Sequence, residues 1–325
     1  MRIRSIAAFV LLGVFLAAAI AADRQTGPLR AGAFLWEPEL SPSGPLVIIV
    51  SLPDQTLSAY RNGVRIAYSN ISSGVPGRRT PTGVFTILEK EVTHFSNKYN
   101  RAPMPHMQRL TWQGVAMHGG DLPGYPASHG CIRLPREFAK QLYSITTRGT
   151  TVVVVDENAA EPTIAAHPGI LLSGRENQAD LSNPLDGEFE WNPERSTEGP
   201  ITILASAADK TLYVYRNGIS IGRAALHIEN PQQPLGGHAF TMLEGLSETP
   251  SAFVPDRPGH KWMAVRTGGK TTLADLARRV HIAPEFTATL YDIVSPGTTI
   301  VVTDAPALGS SPTAQPVLLM EAAKQ

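Results

Sequence analysis

The amino-acid sequence predicts a mostly β, sandwich- or barrel-like protein made of two related domains in tandem, each with one or two short helices. Its 325 residues are enough for two domains of ordinary size. The 27 prolines and 28 glycines favour short strands and many turns over long helices. An internal repeat, in which collinear segments recur at a nearly constant spacing, predicts that both domains share one fold.

The repeat is defined by matched segments in the two halves of the chain. The pairs are residues 34–39 (FLWEPE) with 189–194 (FEWNPE), 56–63 (TLSAYRNG) with 211–218 (TLYVYRNG), and 149–151 with 297–299 (both GTT). The first two pairs are offset by 155 residues and the third by 148, so the second copy has lost a net seven (155 − 148). The loss falls between Phe240 and Glu285, where the first copy holds its histidines and its cysteine.

The strands are predicted from short β-branched or alternating runs. In the first copy they are residues 46–50, 56–61, 64–68, 83–88 and 150–155. Asn62-Gly63 is typical of the two-residue turn of a β-hairpin, because both positions tolerate a positive φ.

One helix is predicted in each copy, before the last strand. Pro135 is expected to open it at its first position and Gly149 to close it, with Phe138, Leu142 and Ile145 on one face. Residues 284–297 repeat this pattern in the second copy. There, Thr272–Val280 predicts a further short helix, capped by Thr272. Its apolar face would consist of Leu273, Leu276, Ala277 and Val280.

The N-terminus is typical of a secretory signal peptide. Arg2 and Arg4 precede the apolar run 6–16, and Ala19-Ile20-Ala21 fits a cleavage site. Cleavage there would place the mature protein in the periplasm of a bacterial envelope. The alternative is an uncleaved anchor, although the run is shorter than the roughly 20 residues of a membrane span.

These patterns divide the chain into five parts. They are a signal peptide (1–21), a first domain (30–156), a linker (157–188), a second domain (189–304) and a tail (305–325).

Apolar residues make up 42% and charged residues 17% of the chain, as in globular domains. Basic and acidic residues balance at 28 each, so the sequence lacks the excess of positive charge that is typical of nucleic-acid-binding proteins.

Cys131 is the only cysteine, and it therefore has no partner for an internal disulfide. In an oxidising compartment a lone thiol is a liability unless it does chemistry. Cys131 follows His118 by thirteen residues (131 − 118), across a loop that contains glycines and prolines. Such a loop can turn back and bring the imidazole to the thiol, where proton transfer would create a thiolate–imidazolium pair.

The neighbours of Cys131 suit a nucleophile. Gly130 lets the backbone approach a substrate closely, and the N–H groups of Gly130 and Cys131 would form an oxyanion hole. Arg133 would lower the thiol pKa or bind a substrate carboxylate. The set His118, Asp121, His129 and Cys131 matches no common zinc spacing, so no metal is expected.

These residues carry a family resemblance. His118, the box Ser128-His129-Gly130-Cys131-Ile132-Arg133 and the upstream segment 80–85 (TPTGVF) resemble the L,D-transpeptidase catalytic domain, the YkuD family, over residues 45–155. The resemblance implies a YkuD fold in which Cys131 is the acylated nucleophile and His118 its proton acceptor and donor. It implies further that the Gly119 carbonyl orients His118, that Ser128 and His129 shape the site, and that Arg133 contacts the donor.

The family's reaction would involve peptidoglycan stem peptides and no cofactor. Cys131 would attack the third residue of a tetrapeptide stem, release D-Ala and pass the acyl group to an amine, forming a 3→3 cross-link in cell-wall biogenesis. Water as acceptor would make the enzyme a carboxypeptidase, and a lipoprotein lysine would make it an anchoring enzyme. Tyr125 would either stack on the substrate or merely pack.

Two other classes of function fit the residues. One is a papain-like or sortase-like cysteine peptidase, although the Thr-Leu-x-Thr-Cys strand of sortases is absent. The other is a non-catalytic wall-binding protein.

The second copy, which has no cysteine, is expected to be a degenerate, non-catalytic domain that binds the wall or a protein partner, or covers the first copy. His94 and His106 lie in the segment Thr93–Met107, interpreted as a loop over the site.

Overall fold

The computed structural model describes residues 29–30, 32–156, 185, 187–251 and 254–307. The expected signal peptide, most of the linker and most of the tail lie outside these residues. Within the described ranges, no helix is both long and apolar enough to cross a membrane.

The first domain contains a six-stranded sheet and a four-stranded sheet. Its strands are β1 (Phe34–Trp36), β2 (Leu46–Ser51), β3 (Thr56–Arg61), β4 (Val64–Asn70), β5 (Gly83–Thr86), β6 (Glu89–Glu91), β7 (Met107–Arg109), β8 (Ala116–Gly119), β9 (Ile132–Leu134) and β10 (Thr151–Val155). The larger sheet has the order β1-β4-β3-β2-β10-β5 and the smaller β6-β7-β8-β9. Helix α1 (Arg136–Ile145) lies between β9 and β10, and a 3-10 turn (Pro38–Leu40) follows β1.

The second domain contains a seven-stranded sheet. Its strands are β11 (Phe189–Trp191), β12 (Ile201–Ser206), β13 (Thr211–Arg216), β14 (Ile219–Ala225), β15 (His227–Ile228), β16 (Gly237–Pro250), β17 (Pro258–Gly268), β18 (Val280–His281) and β19 (Thr299–Thr303). The main sheet has the order β11-β14-β13-β12-β19-β16-β17, and β15 pairs with β18. The helices are α2 (Leu273–Arg279), α3 (Pro284–Ile293) and a 3-10 turn (Pro193–Arg195).

The mostly β class is confirmed, and the predicted strands lie where expected. The Asn62-Gly63 turn has φ values of 46° and 81°, so both residues occupy the left-handed region that a tight hairpin needs. Pro284 opens α3 at its first position as predicted, but the ends of α1 were predicted wrongly. Pro135 is the N-cap, one residue before α1, and α1 ends at Ile145 because Thr146 is extended. Gly149, with φ 87°, lies in the turn that leads to β10.

The central strands are apolar on both faces. In β2, Ile48 and Val50 pack into the core of the first domain, whereas Val47 belongs to a cluster shared with the second domain. Successive side chains of a strand point to opposite faces, so a continuous apolar run indicates a sheet that is covered on both sides. The second domain covers the outer face.

Each domain core is closed by an aromatic contact with its helix. In the first domain the ring of Phe138 on α1 lies 5.3 Å from Phe34 and 5.8 Å from Trp36. The second domain repeats this contact with Phe286 on α3, at 5.2 Å from Phe189 and 5.7 Å from Trp191. The repeated motif of the two copies therefore has a packing role.

The two large sheets share their strand order and register. β1 pairs with β4 as Phe34 with Ser69, and β11 pairs with β14 as Phe189 with Ala224, both shifted by 155 residues (189 − 34 and 224 − 69). A β-bulge at Ala59/Tyr60 recurs at Val214/Tyr215. Duplication stays a prediction, but it accounts for why an irregularity of the backbone is repeated.

The domains pack against each other through equivalent residues. Thr151 Oγ1 on β10 lies 3.0 Å from Thr299 Oγ1 on β19, its counterpart at the offset of 148 (299 − 151). A Cβ on Gly149 would meet Pro200 at 3.8 Å, and one on Gly297 would meet Pro45 at 3.9 Å, which is the reciprocal contact. Such a self-complementary arrangement is that of an isologous dimer interface, here within one chain.

Helix α2 was predicted correctly in place but not in its buried face. The Thr272 side chain accepts a hydrogen bond from the Asp275 N–H, as a capping residue should. Leu276 is buried, but Leu273 and Ala277 are exposed. The other buried side chain of the helix is Arg279, which is 3% exposed.

Candidate active site

Parallel pairing of β8 and β9 brings the two candidate catalytic residues together. Met117 on β8 pairs with Ile132 on β9, and both side chains lie in the core of the first domain. Residues on either side of a core residue in a strand point to the opposite face. His118 and Cys131 therefore both point away from the core.

The shared face of His118 and Cys131 forms one wall of a cavity of about 470 Å³. The other walls come from the segment between β6 and β7, here the 92–106 loop, and from the turn before β8. The loop resembles a hairpin, since His94 and Phe95 pair with Met104 and Pro103. Sequence analysis placed this loop over the site, and its residues do line the cavity.

His118 is buried and oriented by a backbone carbonyl. It is 7% exposed, and its Nδ1 lies 2.9 Å from the Gly119 carbonyl oxygen. A carbonyl only accepts, so Nδ1 carries the proton and Nε2 keeps a lone pair. Burial, partly opposed by the hydrogen bond to Gly119 and reinforced by the positive charge of Arg133, lowers the pKa of His118 to about 4. The imidazole is therefore neutral at pH 7.

Cys131 is also in an apolar environment. It packs against Met104, Met107 and Ala116, and its thiol donates to the Gly114 carbonyl across 3.5 Å. Burial raises the pKa of the thiol, and the cations nearby only partly oppose this. The lowered pKa of His118 and the raised pKa of the Cys131 thiol favour a neutral thiol and a neutral imidazole at rest, whereas the sequence predicts a thiolate–imidazolium pair after proton transfer.

Ser128 and Gly130 fix the backbone that precedes the nucleophile. The Ser128 hydroxyl donates to the Cys131 carbonyl at 2.5 Å and accepts the Gly130 N–H at 3.1 Å. Gly130 has a φ of 110°, which a side chain would strain. The oxyanion hole predicted from Gly130 and Cys131 needs correction, because the Gly130 N–H is engaged. Of the two N–H groups, that of Cys131 remains the candidate.

The other predicted residues differ in their positions. Arg133 lines the cavity beside Gly120, and the exposed ring of His129 lies 4.4 Å from that of Tyr99. Tyr125 does not line the cavity, and its side chain is 62% exposed. Its carbonyl instead accepts the Ser72 hydroxyl at 2.8 Å. The structure therefore gives Tyr125 a place in the loop rather than in the pocket.

Several cavity residues were missed by sequence analysis. They are Lys98, Tyr99, Arg109, Trp112, Gly114 and Arg136. Gly114 follows a turn and reaches Cys131 only through its backbone carbonyl, which no side-chain pattern signals. Lys98 binds the same turn, because its Nζ donates a hydrogen bond to the Gln113 carbonyl at 2.7 Å. Within the described residues, no group of three His, Cys, Asp or Glu side chains has the arrangement of metal ligands.

A comparison with known families assigns the segment that carries this site. Residues 45–154 match the sequence model of the YkuD family, described as the L,D-transpeptidase catalytic domain. The first domain is therefore similar to a YkuD domain over residues 45–154. The match ends one residue before the end of β10, so it includes β8, β9 and the cavity but not the second domain.

The YkuD domain has curated relatives. L,D-transpeptidase 1 of Mycobacterium tuberculosis (strain ATCC 25618 / H37Rv) is 30% identical over 127 residues, which cover 34% of this chain and 50% of that protein. The protein of the same name from strain CDC 1551 / Oshkosh matches to the same extent. The chain spans about half the length of the curated relatives it matches.

Solved structures are also similar to the YkuD domain. An L,D-transpeptidase from Stackebrandtia nassauensis is 30% identical, with a TM-score of 0.33, covering 36% of this chain and 57% of that one. One from Mycobacterium tuberculosis H37Rv is 27% identical, with a TM-score of 0.34, covering 35% and 59%.

The second domain places an arginine at the position equivalent to Cys131 of the first domain. Ser72 bridges Arg133 in the first domain, and His227 pairs with His281 in the second, at offsets of 155 (227 − 72) and 148 (281 − 133). Two residues before Arg133 is Cys131, and two residues before His281 is Arg279.

Arg279 fills its position with hydrogen bonds to the backbone. Its guanidinium donates to the carbonyls of Glu229 (3.0 Å), Asn230 (3.1 Å) and Pro234 (3.1 Å), and to that of Gln233. These residues form the loop that corresponds to residues 74–79 of the YkuD domain. The equivalent of the thiol position is therefore closed by a structural side chain.

Replacing Arg279 with methionine should destabilise the second domain. The change removes four hydrogen bonds from the Arg279 guanidinium to the 229–234 loop, of whose carbonyls only that of Pro234 has a second side-chain donor among the described residues, Thr271. A hydrogen bond to a charged group contributes roughly 1.5–3 kcal/mol. We expect the midpoint of thermal unfolding, followed by circular dichroism, to fall by roughly 10 °C. Arg278→Met is the matched control, because the Arg278 side chain is 71% exposed and pairs only with Asp275 in the described structure. Equal midpoints for the two variants would contradict a structural role of Arg279.

Proposed function

We propose that this protein is a peptidoglycan L,D-transpeptidase in which Cys131 is the nucleophile. The observation that carries the proposal is the placement of the Cys131 thiol and the His118 imidazole on one wall of a single cavity. The match of residues 45–154 to the L,D-transpeptidase catalytic domain supports the reaction class. The names of the curated relatives support it as well.

In the proposed acylation, the neutral pair reacts without first forming ions. His118 Nε2 takes the thiol proton as the sulfur attacks the carbonyl of the L-centre of the third stem residue. The N–H of Cys131 stabilises the oxyanion that forms. His118 then returns the proton to the amine of the departing D-Ala, which leaves a thioester on Cys131.

In the proposed transfer, an amine attacks the thioester. With the side-chain amine of a diamino acid as acceptor, the product is a 3→3 cross-link, and Cys131 is released. Water as acceptor would give the tripeptide, and a lipoprotein lysine would give an anchored protein. The three outcomes share Cys131 and His118 and differ only in the acceptor.

The charge of the cavity supports an acidic substrate. Four cationic side chains line it, whereas the one acidic side chain that does so is Asp121. The cationic residues are Lys98, Arg109, Arg133 and Arg136. Peptidoglycan stems carry several carboxylates, which guanidinium groups bind well. Arg109 is paired with Glu89 and Arg136 with Asp121, so Lys98 and Arg133 supply the net positive charge of the cavity.

We propose further that the protein acts in the periplasm and that its second domain is a degenerate copy without catalysis. The signal-like N-terminus supports export. The shared strand order and register, and Arg279 at the position of Cys131, support the degenerate copy. The second domain covers the first through the Thr151–Thr299 face, and its remaining surface would serve a wall or protein partner.

The experiment that tests the function is mass analysis of a stem tetrapeptide ending in D-Ala after incubation with the full chain. Cross-linked dimer with loss of one D-Ala supports the transpeptidase, and tripeptide alone supports the carboxypeptidase. Intact-protein mass spectrometry after exposure to imipenem should show a single adduct on Cys131. Unchanged tetrapeptide and no adduct would refute the enzymatic function.

A further inference from the structure

A second imidazole lines the cavity that contains Cys131 and His118. His94, in the 92–106 loop, is part of the lining, and its side chain is only 15% exposed. Its Nδ1 lies 2.8 Å from Glu91 Oε2 at the end of β6. A carboxylate only accepts, so in the neutral form of this imidazole Nδ1 carries the proton and Nε2 the lone pair.

The position of His94 is fixed by the backbone of its loop. The Met104 N–H donates to the His94 carbonyl at 2.8 Å, and the next residue, Phe95, is bridged to Pro103. With Glu91 holding the ring as well, both the backbone and the imidazole have defined partners. This is the arrangement of a base oriented by a third group.

His94 and His118 act on each other electrostatically. Both rings line the same cavity, and a positive charge on His94 would lower the pKa of His118. The other charged side chains that line this space are Lys98, Arg109, Arg133, Arg136 and Asp121. Of the three imidazoles that line the cavity, His118 is buried, His94 lies in the covering loop next to Glu91, and His129 is exposed with its ring near that of Tyr99.

Transfer to an amine needs more proton acceptors than acylation does. An alkyl amine arrives as an ammonium ion at neutral pH and must lose one proton before its nitrogen can attack. It loses a second proton as the amide forms, and that proton must reach the departing sulfur. One imidazole cannot hold both protons at once. Water, in contrast, arrives neutral and has only one proton to give.

We propose that His94, oriented by Glu91, is the base that accepts the first proton of the amine acceptor. This inference rests on the proposed transpeptidase function. The ammonium proton goes to His94 Nε2, and the nitrogen forms a bond to the thioester carbon. The second proton goes to His118 and from there to the Cys131 sulfur as the C–S bond breaks. His94 then releases its proton to solvent, so every proton is accounted for. His94 in this way sets the ratio of transfer to hydrolysis.

The test is the product ratio of His94→Gln with the stem tetrapeptide, which serves as both donor and acceptor. We expect cross-linked dimer to fall about 10²-fold, the lower range for loss of a general base. Acylation of Cys131 and hydrolysis to the tripeptide should persist. Hydroxylamine, which is already unprotonated at neutral pH, should still be acylated by the variant at the rate of the unmodified protein. Glu91→Gln should reduce dimer formation to a smaller extent, because it removes only the orienting group.

His106→Asn is the matched control. His106 lies in the same loop, does not line the cavity, and packs its ring at 5.6 Å from that of Tyr143. It should leave the product ratio unchanged. Dimer formation unaffected by His94→Gln would overturn the inference, as would an equal loss of dimer, tripeptide and hydroxylamine product. If the unmodified protein forms no acyl-enzyme, the proposed function fails first, and this inference fails with it.

Discussion

Replacement of Cys131 with serine is expected to abolish formation of the acyl-enzyme and all turnover of the tetrapeptide. A serine hydroxyl is far less acidic than a thiol, and the neutral His118 beside it is too weak a base to compensate. Loss of a nucleophile reduces kcat on the order of 10⁶-fold in a serine peptidase, and we expect a loss of similar size here. Product formation by mass spectrometry and the imipenem adduct are the two measurements.

The fold of this variant should remain intact. Serine differs from cysteine by one atom, and Cys131 packs only at the edge of a small cluster with Met104, Met107 and Ala116. The midpoint of thermal unfolding should change by no more than a few degrees. Residual cross-linking by Cys131→Ser would show that the thiol is dispensable. It would favour a wall-binding protein with a contaminating activity.

Replacement of His118 with glutamine is expected to lower the rate of Cys131 acylation by about 10²- to 10⁴-fold, the usual contribution of a general base. In the unmodified protein this rate should fall as the pH drops through about 4, since protonation of His118 removes the base. Because burial lowers the pKa of the His118 imidazole, the acylation rate should be maintained to a more acidic pH than an ordinary histidine would allow. The measurement is the pH profile of kcat/KM for tetrapeptide or imipenem.

The rate of Cys131 alkylation distinguishes a neutral thiol and imidazole, at Cys131 and His118, from a thiolate–imidazolium ion pair. Burial raises the pKa of the thiol, so iodoacetamide should react slowly at pH 7 and faster only as the thiol ionises at alkaline pH. His118→Gln should change this slow reaction little, because His118 does not ionise the resting thiol. His106→Gln is the control for the acylation rate, since His106 does not line the cavity and packs its ring against that of Tyr143. Fast alkylation at pH 6 that His118→Gln abolishes would show a resting thiolate instead.

The large sheets were predictable because local signals agreed with the tertiary structure. Strand β3 has the predicted bounds, Thr56–Arg61, and the Asn62-Gly63 turn has the predicted backbone. These segments are apolar or alternating and end at residues with a known turn preference. The four-stranded sheet was not predicted. Its strands have three or four residues, and β6 is Glu89–Glu91, a charged run without strand periodicity.

The candidate site was predictable only as far as side-chain chemistry is visible in sequence. Cys131 and His118 were found from their residue types and spacing. The protonation states were not, because they depend on burial among Met104, Met107 and Ala116, which lie apart in the chain. Gly114 was missed because its contribution is a carbonyl. The Gly130 N–H was assigned to the substrate because nothing in the sequence shows that Ser128 occupies it.

The contact between the threonines of β10 and β19 has a consequence for how the chain can be dissected. Val47, Val84 and Val153 of one half are covered by Leu204, Tyr213 and Val301 of the other. Either half produced on its own would therefore expose a broad apolar surface to water and would tend to self-associate or precipitate. Removal of the connecting segment alone would not separate the halves, which behave as permanently joined subunits. A minimal stable form of the protein thus includes the half that carries no thiol.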